Sequence, residues 1–326
     1  ELIHAMGLAQ FAKGVLAIND YGEKLASSAL ARMPAGVYEF SDAMDNDGFG
    51  AEYIPIKVSL DISAAGINVD FEGTAAQVAG NINCPLSVTA ASVYYAFRCL
   101  LPAQTPNCAG TYRCISIKAP QNCLVNASRP AATAAGNVET SMRLVDVMLG
   151  ALAKVIPDEI PAASQGTMNN VAMGSRGTQS SWDYYETIGG GMGACRQSQG
   201  LSGVQCHMTN TLNTPIESLE QHYPLRIERY QLRERSGGAG AFKGGDGLIR
   251  DFVFLADTDV TLLTERRTAG PWGLEGGSAG LSGSNTLDGE LLPAKVQFKA
   301  ERGQVLSIET PGGGGYGVAS SSVEPS

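Results

Sequence analysis

The sequence is poor in charged and aromatic residues, and it has no apolar run long enough to cross a membrane. Charged residues make up 17% and aromatic residues 7% of its 326 positions, whereas a typical soluble chain has about 25% charged residues. A membrane-spanning helix needs about 20 consecutive apolar residues. A basic excess is also lacking, because 23 Lys and Arg face 32 Asp and Glu for a formal net charge of −9. A nucleic-acid partner requires a basic surface, so the composition argues against one.

Paired cysteine motifs are absent as well. The seven cysteines are an odd number, and none belongs to a Cys-x-x-Cys pair, the spacing that is common in zinc sites. We therefore predict reduced, buried thiols in a cytoplasmic protein and no metal site in this chain. The sequence also contains no P-loop, no Gly-x-Ser-x-Gly elbow and no His-Glu-x-x-His motif, the common signatures of nucleotide-binding proteins, serine hydrolases and zinc proteases.

The first residues have neither an initiator Met nor a signal-peptide pattern. Leu2, Ile3, Met6, Leu8 and Phe11 have the spacing of a helix, and no Ser, Thr, Asp or Asn precedes them as an N-cap. We expect a fragment that is cut inside a helix of a longer polypeptide. A frayed helical start after processing is the alternative.

The pattern of apolar residues predicts an α+β fold. Helices are expected at residues 20–33, 92–101 and 137–156, the last capped by Asn137. Strict alternation at 56–62 and 67–71 predicts a hairpin. We expect helices and mixed strands in the N-terminal half, then mostly antiparallel β-structure with glycine-rich turns. The predicted regions are 1–161 (mixed α+β, truncated at its N-terminus), 162–317 (mostly β) and 318–326 (disordered tail).

Short strands dominate the predicted β region. The strand at 223–235 changes its apolar phase by one residue, which indicates a bulge. Residues 248–255 and 260–264 predict a hairpin around 256–259. Further strands are expected at the ranges 115–117, 182–188, 296–299 and 305–310.

Two motifs suggest ligands at first sight. Gly189 to Ala194 matches the pattern GxGxxA after a predicted strand, but the next residues, 195–200, have no apolar stripe for the helix that a dinucleotide site needs. We therefore reject nucleotide binding there. Asp42, Asp45 and Asp47 cluster before a glycine without the spacing of a calcium loop, and we predict a solvated acidic turn.

Other candidate residues lie in polar stretches. Glu139 and Thr140 fall in the predicted first turn of a helix, where free N–H groups can hold an anion. Ordinary capping with a surface Glu139–Arg143 pair is the alternative. Gln165 to Asn170 and the residues around His207 are denser in polar groups than turns require. His207 is a candidate general acid or base, or else a structural hydrogen-bonding residue.

Several motifs together resemble one protein family. They are Gly136–Ser141 (GNVETS), Ser164–Asn170 (SQGTMNN), Tyr184–Gly191 (YYETIGGG), Ser202–Thr211 (SGVQCHMTNT), Ser236–Gly240 (SGGAG), Gly244–Gly247 (GGDG), Pro271–Leu274 (PWGL) and Thr310–Gly317 (TPGGGGYG). As a set they resemble the hydantoinase B/oxoprolinase family from about residue 1 to 317, as the C-terminal part of the family's second, B-type polypeptide.

This resemblance implies an enzyme. Family members are ATP-dependent cyclic amidohydrolases that act on 5-oxoproline, hydantoins or related lactams, and relatives are large subunits of acetone and acetophenone carboxylases. It also implies a hetero-oligomer, in which a hydantoinase A-like partner binds ATP and Mg²⁺ and phosphorylates the substrate. A divalent metal is expected in the N-terminal part of the B-type polypeptide, outside this chain. A carboxylase, or a non-catalytic fragment that holds the ATP-binding partner, remains an alternative.

The resemblance also directs attention to particular residues. We predict His207 and Glu139 as proton-transfer or orienting groups. Many relatives read His-x-His-Met-Thr-Asn, whereas Gln205 replaces the first His here, and an amide cannot titrate. The predicted substrate- or phosphate-binding residues are Thr140, Gln165, Asn169, Asn170, Glu186, Gly189, Gly190, Gly191 and Asn210.

Overall fold

The computed structural model describes residues 1–176 and 181–319 and has the predicted α+β class. Most of the tail predicted at 318–326 lies outside the described residues. The helices are α1 (Leu2–Met6), α2 (Leu8–Leu30), α3 (Leu86–Arg98), α4 (Ser141–Ala153) and α5 (Ile216–His222). The strands are β1 (Gly36–Asn46), β2 (Glu52–Ser63), β3 (Gly66–Asp70), β4 (Ile115–Lys118), β5 (Asn170–Arg176), β6 (Ser181–Glu186), β7 (Leu225–Arg233), β8 (Gly247–Phe254), β9 (Thr258–Leu263), β10 (Ser284–Leu287), β11 (Glu290–Leu291), β12 (Lys295–Ala300) and β13 (Val305–Glu309).

The first sheet has the order β1-β2-β3-β4. The β2–β3 hairpin is confirmed, and its alternating residues, such as Ile56 and Leu60, face the core. Strand β4 adds in parallel to β3. Strand β1 was not predicted, yet it pairs antiparallel with β2 from Gly36 to Asn46. This long pairing carries Asp42 of β1 towards the interior, whereas Glu39 stays exposed.

Helix α4 is buried at every residue from Ser141 to Ala153, so the predicted apolar stripe is only part of its buried surface. One π-helical turn, Gly136–Thr140, precedes it. The prediction that Asn137 caps the helix is wrong, because Asn137 lies inside this turn and its carbonyl accepts a hydrogen bond from the Ser141 hydroxyl at 2.8 Å. A π-turn changes where its side chains point relative to the α-helix that follows.

The second region contains two sheets, ordered β11-β10-β13-β8-β7 and β12-β9-β5-β6. The hairpin predicted from 248–255 and 260–264 is wrong, because β8 and β9 belong to different sheets. The chain crosses from one sheet to the other there, and buried residues of both sheets, among them Phe252 and Val260, form one apolar core. The predicted bulge is confirmed as a register shift of β7 between Ile227 and Arg229.

Glycine segments connect the two sheets through their backbones. Gly191 donates its N–H to the Pro311 carbonyl at 3.0 Å, and Gly245 donates to the Met192 carbonyl at 2.8 Å. A Cβ atom on Gly191 would collide with the backbone of Gly245 and Gly313. Backbone packing at this distance admits only glycine.

Helix α2 includes residues 20–30 of the predicted helix at 20–33, but it begins earlier, at Leu8 after Gly7 with a φ of 79°, and ends at Leu30. Its outer side exposes several apolar residues, including Leu8 and Leu16 at 68% and 61%. Among the helices described, none combines the length and the apolar character needed to span a bilayer.

Candidate functional site

The π-turn places the Glu139 carboxylate in the interior, between α4 and the second region. Its Oε1 accepts hydrogen bonds from the Met168 N–H at 3.0 Å and from the Asn170 amide at 2.6 Å. Its Oε2 is buried without a partner in the described structure. Burial, aided by the nearby charge of Glu265, raises the pKa of Glu139 to about 8. Glu139 therefore holds a proton at neutral pH.

The side chains of Gln165 and Asn169 are hydrogen-bonded to each other next to Glu139. The Asn169 amide donates to Gln165 Oε1 at 2.9 Å and to the Ile188 carbonyl at 3.0 Å, and its oxygen accepts from Arg267 at 3.0 Å. The backbone of Asn169 has a φ of 47°, in the left-handed region that Asn adopts more readily than most non-glycine residues. These two side chains thus fix the path of residues 164–170.

An ionic cluster lies along α4 where the two regions meet. Arg143 bridges Asp42 and Glu265 at 3.2 Å each, and Arg266 contacts Asp42 at 2.8 Å. Burial raises the pKa of Asp42, but Arg143 and Arg266 overcome this and lower it to about 2. The members of the ionic cluster are Asp42, Arg143, Asp146, Glu265, Arg266 and Lys295.

The ionic cluster corrects two expectations. Asp42 is not part of a solvated turn, because it lies in β1 with only 16% of its side chain exposed. Asp47 is buried as well, and it accepts hydrogen bonds from the N–H groups of Phe49, Ala51 and Gly80. Arg143 is buried and contacts acids of other elements rather than forming a surface pair with Glu139.

The remaining predicted residues are spread over the second region and its border. Thr140 donates to the Ile82 carbonyl. Glu186 accepts from the Thr214 N–H and lies 3.0 Å from Arg250, whose guanidinium stacks on Tyr230. Gly189, Gly190 and Gly191 pack against Val204, Gln165 and Gly313 respectively, and Asn210 is exposed.

His207 lies in a tight turn that Thr209 closes. The Thr209 hydroxyl accepts from the Cys206 N–H at 3.0 Å and donates to the Cys206 carbonyl at 2.7 Å. This leaves His207 with a φ of 55°, a conformation that clusters at functional sites. Its Nδ1 faces the Tyr95 hydroxyl at 3.4 Å, and its ring meets Tyr95 edge-on at 5.9 Å between centroids.

A cavity of about 290 Å³ opens beside this turn. We call it the His207 cavity. Burial lowers the pKa of His207, so the imidazole is neutral at pH 7. Two of its lining residues carry buried polar atoms that no described residue satisfies, Nε2 of His207 and Oε1 of Gln205. The lining residues are Tyr95, Cys99, Leu100, Leu149, Glu159, Ile160, Pro161, Ser164, Met192, Gln205, Cys206 and His207.

The sequence matches the hydantoinase B/oxoprolinase family over residues 1–319. The chain belongs to this family. It is 42% identical over 284 residues to 5-oxoprolinase 1 of Arabidopsis thaliana, covering 86% of this chain and 21% of that protein. It is 32% identical over 335 residues to one subunit of a putative D-/L-hydantoinase of Pseudomonas sp. (strain NS671), covering 97% of this chain and 56% of that polypeptide. Much of each relative therefore lies outside the matched segment.

A solved member of the same fold is the ATP-dependent caprolactamase from Pseudomonas jessenii. Its structure superposes with a TM-score of 0.85 at 24% identity, covering 97% of this chain and 57% of that chain. At this identity the likeness establishes the fold of this hydantoinase B/oxoprolinase family chain and no more.

The site of this family member contains residues that sequence reasoning missed. Tyr95, on α3, is separated from His207 by 112 positions, and no local pattern connects them. Gln205 was noted only as a departure from the family pattern, yet it lines the His207 cavity together with His207. Glu139 is not among the residues that line this cavity. Of the two predicted catalytic residues, then, one lies at the cavity and the other in the interior.

Proposed function

We propose that this chain supplies the ring-binding site in the B-type polypeptide of an ATP-dependent cyclic amidohydrolase. The observation that carries the proposal is the His207 cavity, with one unpaired atom on His207 and one on Gln205. Its volume of about 290 Å³ lies at the small end of ligand pockets. A lactam or imide ring of five to seven atoms fits a cavity of this size better than a large ligand does.

The polar atoms of the cavity complement the edge of a lactam. A cyclic amide presents its N–H and its C=O side by side, as one donor and one acceptor. Gln205 Oε1 can accept from the ring N–H. If the Tyr95 hydroxyl donates to Nδ1 of His207, then Nε2 carries the proton and can donate to the ring oxygen. Burial raises the pKa of Tyr95, which keeps its hydroxyl protonated for this purpose.

In this proposal His207 transfers the proton. Phosphorylation of the lactam oxygen by the partner makes the ring carbon electrophilic, and water then adds to that carbon. Breaking the C–N bond leaves an acyl phosphate, which a second water hydrolyses to a carboxylate and inorganic phosphate. The ring nitrogen must gain a proton when the C–N bond breaks, and a neutral imidazole at the ring can relay it. Glu139 was predicted as a proton-transfer or orienting group. In this proposal it holds the adjoining segment 164–170 through Met168 and Asn170, and Ser164 of that segment lines the cavity.

The other predicted residues enter the proposal as supports. Gln165, Asn169 and Asn170 anchor the segment 164–170, and Gly190 lies against Gln165. Thr140 and Glu186 hold neighbouring elements. The exposed Asn210 is available to a bound phosphate or to a partner chain.

ATP and Mg²⁺ are assigned to a hydantoinase A-like partner, which makes the enzyme a hetero-oligomer. The Pseudomonas relative is named as one subunit of its enzyme, and this supports a partner. The divalent metal that the family resemblance implies is assigned to the rest of the B-type polypeptide. Seven free thiols support a cytoplasmic location.

The test is turnover by the complete complex. We expect lactam-dependent phosphate release, and His207→Ala should lower the single-turnover rate about 10²–10⁴-fold while the melting temperature hardly changes. His222→Ala is the matched control, because His222 is exposed at the end of α5. Phosphate release that depends on bicarbonate and a ketone would favour the carboxylase instead. A loss of stability with an unchanged rate would end the assignment of His207.

A further inference from the structure

The His207 cavity has no cationic side chain on its wall. Its polar lining consists of the neutral groups of Tyr95, Ser164, Gln205 and His207, together with two thiols. Among the described lining residues, the only one that carries a formal charge is Glu159. A negatively charged ligand would therefore meet a neutral wall and one negative side chain.

The guanidinium that contacts Glu159 is already engaged. Arg32, at the end of α2, binds both carboxylate oxygens of Glu159, and its Nη2 lies 2.6 Å from Oε2. Each side chain is about two-fifths exposed, with 43% for Arg32 and 41% for Glu159. Glu159 thus pairs with Arg32, and none of the described lining residues is a cation that could receive a carboxylate.

Taking a carboxylate out of water without a partner is strongly unfavourable. A neutral cyclic amide meets no such penalty, because Gln205 Oε1 and His207 Nε2 can pair with its own donor and acceptor. We infer that the His207 cavity selects uncharged cyclic amides and discriminates against rings that carry a carboxylate, with Glu159 as the residue that sets this preference by occupying Arg32. This inference rests on the proposed function.

The experiment measures binding of three probes to the full chain by titration calorimetry at pH 7.5. The probes are 2-pyrrolidinone, 5-oxoproline and the neutral amide of 5-oxoproline, so that the last two differ in charge at nearly equal size. The expected result is that the two neutral probes bind at least tenfold more tightly than 5-oxoproline.

A charge variant then tests the assigned residue. Glu159→Gln removes the negative charge and releases Arg32 from its ion pair, so 5-oxoproline should gain at least threefold in affinity while the neutral probes change little. Asp158→Asn is the matched control, because Asp158 is the preceding residue, pairs with Arg196 and does not line the cavity. It should leave all three affinities unchanged.

The outcomes separate the inference from the proposed function. If 5-oxoproline binds as tightly as its amide and His207→Ala still abolishes both, the inference is overturned and the cavity remains the ring site. If Glu159→Gln and Asp158→Asn have equal effects, the assignment of Glu159 is overturned. If no probe binds, or His207→Ala leaves binding unchanged, the ring site lies elsewhere and both statements fall.

Discussion

The ionic cluster and the His207 cavity are both polar regions of the interior, but only the ionic cluster is held together by pairs of opposite charge. In the ionic cluster each charged side chain meets an opposite charge, as when Arg143 contacts both Asp42 and Glu265. At the His207 cavity, Nε2 of His207 and Oε1 of Gln205 have no described partner beside an open volume. Buried polar atoms normally find partners. Opposite charges therefore hold the two regions together in the ionic cluster, although Arg143 Nε, Asp146 Oδ1 and Arg266 Nε have no described hydrogen-bond partner. The side chains of His207 and Gln205 have no ion pair and line the cavity that we propose as the ligand site.

The largest expected effect comes from breaking the ionic cluster. Arg143→Met leaves Asp42 and Glu265 short of a cation in the interior, and such a loss costs about 3–5 kcal/mol. Urea denaturation should show a fall of this size in the free energy of unfolding. Arg176→Met is the control, since the Arg176–Asp183 pair is about 70% exposed on both sides and should contribute less than about 1 kcal/mol. Equal losses in the two variants would contradict the structural role of the cluster.

A pH-dependent effect is expected at Glu139, on the border of the ionic cluster. Its pKa of about 8, compared with an ordinary 4.5, means that the folded state keeps a proton which the unfolded state releases. Stability should therefore fall as pH rises from about 4.5 to 8, by up to about 1.4 kcal/mol per pH unit.

The measurement is urea unfolding of the wild type and Glu139→Gln at pH 5, 6, 7 and 8. The variant should lack this part of the pH dependence, so the two curves of unfolding free energy should diverge. Glu217→Gln, at an exposed position of α5, should follow the wild type. Parallel curves for wild type and Glu139→Gln would show that Glu139 is ionised in the folded protein.

The smallest effect is expected from Tyr95→Phe at the His207 cavity. The change removes the hydroxyl that faces Nδ1 at 3.4 Å but keeps the edge-on ring contact. The loss of one hydrogen bond is worth about 0.5–1.5 kcal/mol, or roughly two- to twelvefold in lactam affinity. Nitrogen NMR of His207 should show a mixture of tautomers in the variant. Tyr112→Phe, which removes a hydroxyl bonded to Asn107, should change neither, and an unaltered His207 spectrum in Tyr95→Phe would refute the positioning role.

The parts of the fold that the sequence predicted are those with local signals. The β2–β3 hairpin has alternation on both strands, and the bulge in β7 appears as a change of phase. Strand β8 is buried at all eight positions, including Arg250 and Asp251, so no alternation marks its faces. The β8–β9 hairpin was predicted wrongly because nothing local indicates that the chain changes sheets between them.

The site was harder to predict because its contacts are distant in sequence. The polar residues around His207 and Glu139 were identified, but what each side chain touches was not. Asp42 contacts Arg266, which lies 224 positions later in the sequence. Without knowledge of that partner, an acidic segment such as this one is predicted to face solvent. The Arg32–Glu159 ion pair joins residues that are 127 positions apart, so no local sequence pattern indicates it either.

The glycine segments between the two sheets have a consequence for how this gene can vary. Every missense change at a glycine codon adds at least a Cβ atom, and at Gly191, Gly244 and Gly313 that atom would overlap a neighbouring backbone. A second substitution cannot restore the space, because the obstructing atoms belong to the peptide chain itself and not to a replaceable side chain. We therefore expect a deep mutational scan to find these positions intolerant of all nineteen alternatives, alanine included, whereas Gly14 of α2, with open space around it and no positive φ, should tolerate several.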